Sequence, residues 1–381
     1  MPRPTVVEID LSAIRDNLRA IRSLVGPAVE IIGVVKADAY GHGAVAVGRT
    51  LAAEGVKRFG VALVEEGAAL REAGIPGDVL VLGALPPEQA PEVVEHGFEA
   101  AVSDLDFARR LDEVSRRRRG RPVGVHVKLD TGMGRFGFPP ERALEVIGEV
   151  AGLRGLRLVG AMTHFPSADE AGSGPPAPGS DGVEFTRRQI GAFLKIREAV
   201  AAAGIRAPLW HAANSAGILL YPESRLDAVR PGLALYGGFP AAQVPPPTKL
   251  RQAMTLKTRI VLIRDFAAGA TLGYGRTFRT ARASRIAALP IGYADGFSRA
   301  NSNRGQALVR GRRAPIVGRV SMDTVLVDVT DVAGAQAGDE VVLYGRQGEA
   351  EISIVEAAER LGTIPYELMT ALTARVPRVW R

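Results

Sequence analysis

Short apolar runs alternate with stretches of helical periodicity from residue 31 to about 236. The runs are IIGVVK, FGVALV, VLVLG, FEAAVS, VGVHVKLD, LRLVGAMTHF, LWHAAN and LDAVRPGLALYG. Between them, EEGAALREAG and FTRRQIGAFLKIREAVAAAG repeat apolar residues at helical spacing and end at Gly74 and Gly204, residues suited to a helix C-terminus. Eight such units predict an α/β fold, a TIM-type (β/α)8 barrel over residues 11–240. A doubly wound open sheet is the alternative, weakened by the lack of a Gly-x-Gly-x-x-Gly opening a βαβ unit. Ahead of the barrel, Asp10 can cap a helix whose Ile14, Leu18, Ile21 and Val25 form one face.

Behind the barrel the rhythm changes. GFPAAQVPPPTKL reads as a linker, because consecutive prolines resist both helix and inner strand. KTRIVLIRDF, SRIAALPIGYADG, GQALVRG, APIVGRVSMDTVLVDVT and DEVVLYG follow, separated by Gly, Asp or Arg turns. They predict a mostly β domain over 241–381, with one helix near 354–361. The N-terminal strand TVVEI, within residues 1–10, can join it.

The chain's 381 residues exceed one ordinary domain, which suits a barrel with an appended unit. With 46% hydrophobic and 23% charged residues, it has the composition of a globular protein. The N-terminus lacks the apolar core of a signal peptide and no apolar run reaches membrane-span length, so a cytoplasmic protein with no membrane partner is expected. The absence of cysteine excludes disulfides and thiolate chemistry. Histidines are scattered and carboxylates do not fall at ligand spacing, so no metal is expected. The net charge of +7, with arginine clusters at 116–119 and at Arg310, Arg312 and Arg313, raises the question of nucleic acid. No zinc finger, RNP motif or aromatic-basic repeat accompanies them, and such runs are more often solvated helix faces. No nucleic-acid partner is expected; the positive field favours anionic small molecules.

Among the 48 basic residues only six are lysines. Arginine does not lose its proton in a protein, whereas a buried lysine can become the neutral amine that forms Schiff bases and accepts protons. Lys36 ends the first barrel run in VVKADAYGHG, with Tyr40 four residues on. TIM barrels carry their chemistry at the C-terminal ends of the strands, with phosphate often held after strands seven and eight. Lys36, Lys128 with Arg135 beyond it, His164, Asn214, Ser215, Arg230 and Gly232 all fall on that rim. A strand-end lysine, a nearby tyrosine and Ser/Gly positions in the phosphate loops describe a pyridoxal-phosphate site. Lys36 would hold the aldehyde, and Tyr40, Ser215 and N–H groups near Gly232 the phosphate. Each residue has a plainer reading: a snorkelling lysine, a packed tyrosine, a helix cap at Ser215 and a bend at Gly232.

VVKADAYGHG, KLDTGMGRFGF, THFPSADE, HAANSA, RPGLALYG, GYGRTF, PIGYADG, GRVSMD and YELMTALTARVPRV together resemble the alanine racemase family, in the family's order and over nearly the whole chain. The resemblance implies a barrel plus a β-rich C-terminal domain, pyridoxal 5'-phosphate as cofactor, and a homodimer whose active site mixes both subunits. It implies interconversion of L- and D-alanine, supplying D-alanine for peptidoglycan. Lys36 would form the Schiff base and act as proton base on one face, with Tyr274 the base on the other. A tyrosine hydroxyl titrates near 10 in isolation, so neighbours must help it ionise; His211 and Arg230 would supply that network.

By the same resemblance, Arg230 faces the pyridine nitrogen and leaves it unprotonated, which weakens the ring as an electron sink. Arg135 would touch the cofactor's phenolic oxygen and the substrate carboxylate, held by Lys128 as a carbamate. Met322 through its backbone, beside Asp323, and Tyr293 would form the remaining carboxylate-binding and entrance elements. Tyr366 would be a second phosphate-binding tyrosine, Asn214 and Leu233 phosphate-loop positions, and His164 a cofactor-side histidine. The inserted AGSGPPAPGSDG, residues 171–182, departs from the family pattern and reads as a mobile loop. Alternatives are a racemase for serine or several amino acids, a decarboxylase of the same architecture, whose C-terminal cysteine is missing here, and a cofactor-binding protein without turnover.

Overall fold

The computed structural model describes residues 3–118, 120–170, 181–239 and 247–381. β1 (Val6–Ile9) leads into a helix, Leu11–Val25, capped as expected: the Asp10 carboxylate accepts the Ala13 N–H at 3.0 Å. Ile14, Leu18 and Ile21 on its predicted face are fully buried. Eight strands then alternate with helices: β2 (Glu30–Val34), β3 (Arg58–Val61), β4 (Asp78–Val81), β5 (Glu99–Val102), β6 (Val123–Lys128), β7 (Leu156–Met162), β8 (Leu209–His211) and β9 (Ala228–Val229). Each pairs in parallel with the next and β9 returns to β2, closing the barrel. All eight coincide with the predicted apolar runs.

Residues two apart on a strand share a face. On the inward face of the barrel, Ile32, Leu80 and Ala228 form a small apolar cluster separate from the main core, with Leu82 and Leu209 packed on it. The same faces carry Glu30, Arg58, Asp78, His126, Lys128, His211 and Arg230. A polar column therefore shares an interior that branched aliphatic residues usually fill.

The second unit contains β10 (Met254–Arg259), β11 (Leu262–Phe266), β12 (Thr271–Leu272), β13 (Phe278–Arg279), β14 (Ser284–Leu289), β15 (Gln306–Val309), β16 (Arg312–Pro315), β17 (Val325–Asp328), β18 (Glu340–Gln347), β19 (Ala350–Ile352) and β20 (Arg378–Trp380). The largest sheet runs β16-β15-β18-β10-β1-β20, with β19 on β18; β11-β14-β17 form a second and β12-β13 a third. β1 is antiparallel to β10 and parallel to β20, so the N-terminal strand and the C-terminal end are both built into this sheet.

Two predicted runs divide. KTRIVLIRDF becomes β10 and β11 because the Ile260 N–H bonds to Asp339 and the next, Val261, to Ala288, in different sheets. APIVGRVSMDTVLVDVT becomes β16 and β17, and the loop between them carries Met322 and Asp323. The helix Ile354–Leu361 lies where expected, while Pro365–Thr370 was not anticipated. Residues 171–180 of the insertion and 240–246 of the linker lie outside the described residues. Among the described residues no helix is long and apolar enough to cross a membrane.

Candidate active site

Lys36 opens a left-handed turn. Ala37, Asp38, Ala39 and Tyr40 take φ values of 51°, 52°, 53° and 55°, a conformation that costs a non-glycine residue roughly 1–2 kcal/mol. Side chains hold it in place. Glu66 Oε1 accepts the Ala37 N–H at 2.6 Å and Asp38 Oδ1 accepts the Ala44 N–H at 2.7 Å. His42 donates Nδ1–H to the carbonyls of Ala39 and Tyr40, both at 2.9 Å, and stacks on Tyr236. The C-terminal segment closes over the turn: Trp380 Nε1 donates to the His42 carbonyl at 2.8 Å. Gly43, φ 92°, is required here, since a Cβ would lie 2.7 Å from the Trp380 ring. Four such residues in succession persist because these contacts hold the turn from several sides.

Across the rim, Ser215 joins the two predicted phosphate loops. Its Oγ accepts the Gly232 and Ala234 N–H groups, each at 3.1 Å, which leaves its O–H free to donate. Asn214, not Ser215, caps the helix Ser215–Leu220, accepting the Gly217 N–H at 2.9 Å. The Gly232 N–H is therefore already engaged, while the Leu233 N–H has no partner among the described residues. What Gly232 contributes is space: a Cβ there would lie 2.5 Å from the Tyr40 hydroxyl. The Tyr366 ring stands 5.8 Å from that of Tyr40, centroid to centroid. Burial pushes the Tyr40 phenol up to about 12, so it remains a donor.

Arg230, 4% exposed, is ringed by acceptors without a carboxylate in contact. It donates to the carbonyls of Thr163, His211 and Ala212 at 2.6, 2.8 and 2.9 Å, to His211 Nδ1 at 2.7 Å and to His164 Nδ1 at 3.3 Å. Its Nε–H has no partner among the described residues. Burial alone lowers its pKa to about 9.

Lys36, Lys128, Arg135 and Arg230 lie close enough to repel one another. Burial, then Arg135, lowers the Lys36 ammonium, against an opposing pull from Glu66. Burial, Arg230 and Arg135 bring Lys128 down to about 8. His164 and His211 fall well below their ordinary value, through burial and then Arg230, and so are neutral. Four cations facing few carboxylates suit an anionic ligand with phosphate or carboxylate groups.

The remaining predicted residues lie on the β-rich unit and face solvent. Tyr274 is 71% exposed, Met322 52% and Tyr293 42%. The Tyr274 hydroxyl makes no hydrogen bond among the described residues, so one chain does not join it to His211 and Arg230. Tyr293 and Met322 are neighbours, because Ala294 donates to the Met322 carbonyl at 3.0 Å; the Met322 N–H is unpartnered among the described residues. Arg375 holds Asp323 at 2.6 Å. Sequence reasoning passed over Glu66, His42, Glu99 and His126. Only His126, two positions before Lys128 in an otherwise apolar run, had a signal that could have found it.

A closed barrel whose rim gathers amines, arginines and phosphate-suited donors, joined to a β-rich unit, defines an enzyme of the barrel-plus-β class. The alanine racemase N-terminal domain profile matches residues 9–240 and the C-terminal domain profile residues 253–380. An alanine racemase from Symbiobacterium thermophilum is 44% identical over 378 residues, 99% of this chain and 97% of its own length. The solved alanine racemase of Clostridium difficile 630 has a TM-score of 0.90 at 36% identity, covering 100% of this chain and 96% of its own. That of Bartonella henselae, solved with covalently bound pyridoxal phosphate, has a TM-score of 0.86 at 29% identity, with 100% of both chains covered. The chain belongs to the alanine racemase family.

Proposed function

We propose that the protein is a cytoplasmic pyridoxal-phosphate enzyme that interconverts L- and D-alanine, supplying D-alanine for peptidoglycan. The observation that carries this reading is the left-handed turn, which holds Lys36 and brings Tyr40 against Gly232 in the loop that Ser215 braces. The donor set fits the cofactor: hydroxyls of Tyr40, Ser215 and Tyr366 and the Leu233 N–H for the phosphate, with Asn214 shaping the loop. Arg230 offers an N–H rather than a carboxylate to the ring nitrogen, beside His164. When bound, pyridoxal phosphate supplies an aldehyde that captures an amine and a ring that draws electrons from the α-carbon.

Lys36, held toward the neutral amine, is the cofactor anchor and the proton base on one face of that carbon. Tyr274 is the base on the other face, so one group removes the proton and the other returns one. Its exposure, with that of Met322 and Tyr293, makes the site incomplete in one chain; a second copy would bring them over the barrel rim in a homodimer. There the free Met322 N–H, Tyr293 and Arg135 would orient the substrate carboxylate. Lys128 Nζ and the Arg135 guanidinium stand 5.5 and 5.7 Å from the centre of the Phe136 ring. As two cations they repel, whereas a carbamate on Lys128 would hold Arg135 in place.

The same reading divides the chain into a cofactor-binding barrel, 11–240, and a β-rich domain, 241–381 with residues 1–10. Purified protein should carry a chromophore that Lys36→Ala abolishes, and should render L-alanine optically inactive, faster than it does serine. Absence of both the chromophore and the loss of rotation would overturn the proposal.

A further inference from the structure

The barrel interior holds three buried groups that this chemistry leaves unused: Arg58, Glu99 and His126, exposed by 8%, 3% and 0%. They continue, atom by atom, from Arg230. A guanidinium has only N–H groups to give, so its Nη1, 2.7 Å from His211 Nδ1, makes that nitrogen an acceptor. A neutral His211 then carries its proton on Nε2, 2.9 Å from His126 Nδ1, which accepts it. His126 in turn carries its proton on Nε2, 3.1 Å from Glu99 Oε2.

Glu99 terminates the chain as a carboxylate. Arg58 Nε donates to the same oxygen at 2.7 Å, and Arg157 reaches Oε1 at 3.4 Å. Arg58 is itself anchored by Glu30 and Asp78 at the opposite mouth of the barrel. With a permanent donor at one end and a permanent acceptor at the other, a single arrangement of protons satisfies every link. Burial keeps both imidazoles from charging, His126 despite the pull of Glu99.

Resting on the reading of Arg230 as the group that faces the cofactor ring, we propose that Glu99 is a positioning residue for Arg230. It fixes the His126 tautomer and so the acceptor that His211 Nε2–H meets, which holds the His211 ring against the guanidinium, and it provides the anionic end of a chain whose cationic end is otherwise surrounded by carbonyls. Glu99 touches neither cofactor nor substrate. Its effect is on the orientation of Arg230, and thus on turnover more than on substrate binding.

The test uses the purified protein, labelled with ¹⁵N-histidine, whose tautomers are read by long-range ¹H–¹⁵N correlation. Both His126 and His211 are expected to be neutral with the proton on Nε2. Glu99→Gln removes the charge and brings an amide that can donate to His126, so His126 should become a tautomer mixture, the His211 signals should shift as Nε2–H loses its acceptor, and kcat should fall about ten-fold with KM within two-fold. His126→Phe severs the chain; adding Glu99→Gln to it should cause no further loss of kcat. A parent protein with the His211 proton on Nδ1 would overturn the proposal, even if no variant folds. So would a Glu99→Gln protein that melts lower but keeps parental kcat and His211 signals, the mark of a purely structural cluster. Failure of the functional reading looks different: racemisation is then absent from the parent while the tautomer measurement still reads normally.

Discussion

Gly232→Ala probes how the phosphate end of the proposed site is assembled. The new Cβ lies 2.5 Å from the Tyr40 hydroxyl and 3.0 Å from its Cζ, well inside the roughly 3.5–4.0 Å of comfortable contact. Tyr40 has little room to retreat, because its ring packs 5.1 Å from that of Tyr236 and its backbone belongs to the left-handed turn. Overpacking of this kind costs about 1–3 kcal/mol. With 381 residues and roughly 2.1 cal/mol/K of unfolding entropy per residue, the melting temperature should fall by about 1–4 °C. Displacing the hydroxyl also removes one charge-assisted hydrogen bond to phosphate, worth about 1.5–3 kcal/mol, so affinity for pyridoxal phosphate should fall roughly 10- to 150-fold. The assay is absorbance titration of cofactor-stripped protein, paired with calorimetry. Tyr40→Phe should lose similar affinity without the fall in melting temperature, and the double variant should bind no worse than either single one. Parental affinity and melting in Gly232→Ala, or additive affinity losses in the double variant, would refute the contact.

Lys128, with a pKa of about 8, should react with carbon dioxide near neutral pH; a ¹³C-bicarbonate-derived carbamate resonance is expected in the parent and absent from Lys128→Arg, and its absence from both would remove the carbamate. His42 is held neutral to about 4 by burial, against 6.5 for the unfolded chain. The unfolded state thus binds a proton that the folded state refuses, and stability falls by about 3 kcal/mol as pH drops through that window. Denaturant titrations of His42→Asn should lack that share of the slope; a parental slope would contradict the assignment. Tyr274→Phe should slow the two directions of racemisation unequally, measured by circular dichroism from each enantiomer, whereas equal small losses would remove it as a base.

Much of the fold is carried by local pattern. Eight apolar runs marked the eight barrel strands because strands covered on both faces need continuous apolar sequence. Asp10 and the stripe of Ile14, Leu18 and Ile21 marked the first helix for equally local reasons. Lys36 stood out through the scarcity of lysine and its place at a strand end, and the motifs around it named the family. Where the pattern failed, the deciding contact was distant in sequence. Ile260 and Val261 read as one strand with their flanks, but Asp339 and Ala288 draw their N–H groups into different sheets.

The site divides in the same way. The residues of VVKADAYGHG are local, but the left-handed course of Ala37 to Tyr40 depends on Glu66, His42 and Trp380, since no local propensity favours four such residues in succession. The Ser215 bridge, the contact between Gly232 and Tyr40, and the proton chain from Arg230 to Glu99 exist only because the closed barrel brings separate strands face to face. By itself the sequence determined the element types, the strand-end lysine and the family, all of which rest on short-range periodicity and motif. Tertiary structure decided which buried polar groups meet and which way their protons point, because a desolvated donor or acceptor must find its partner wherever the fold has put one.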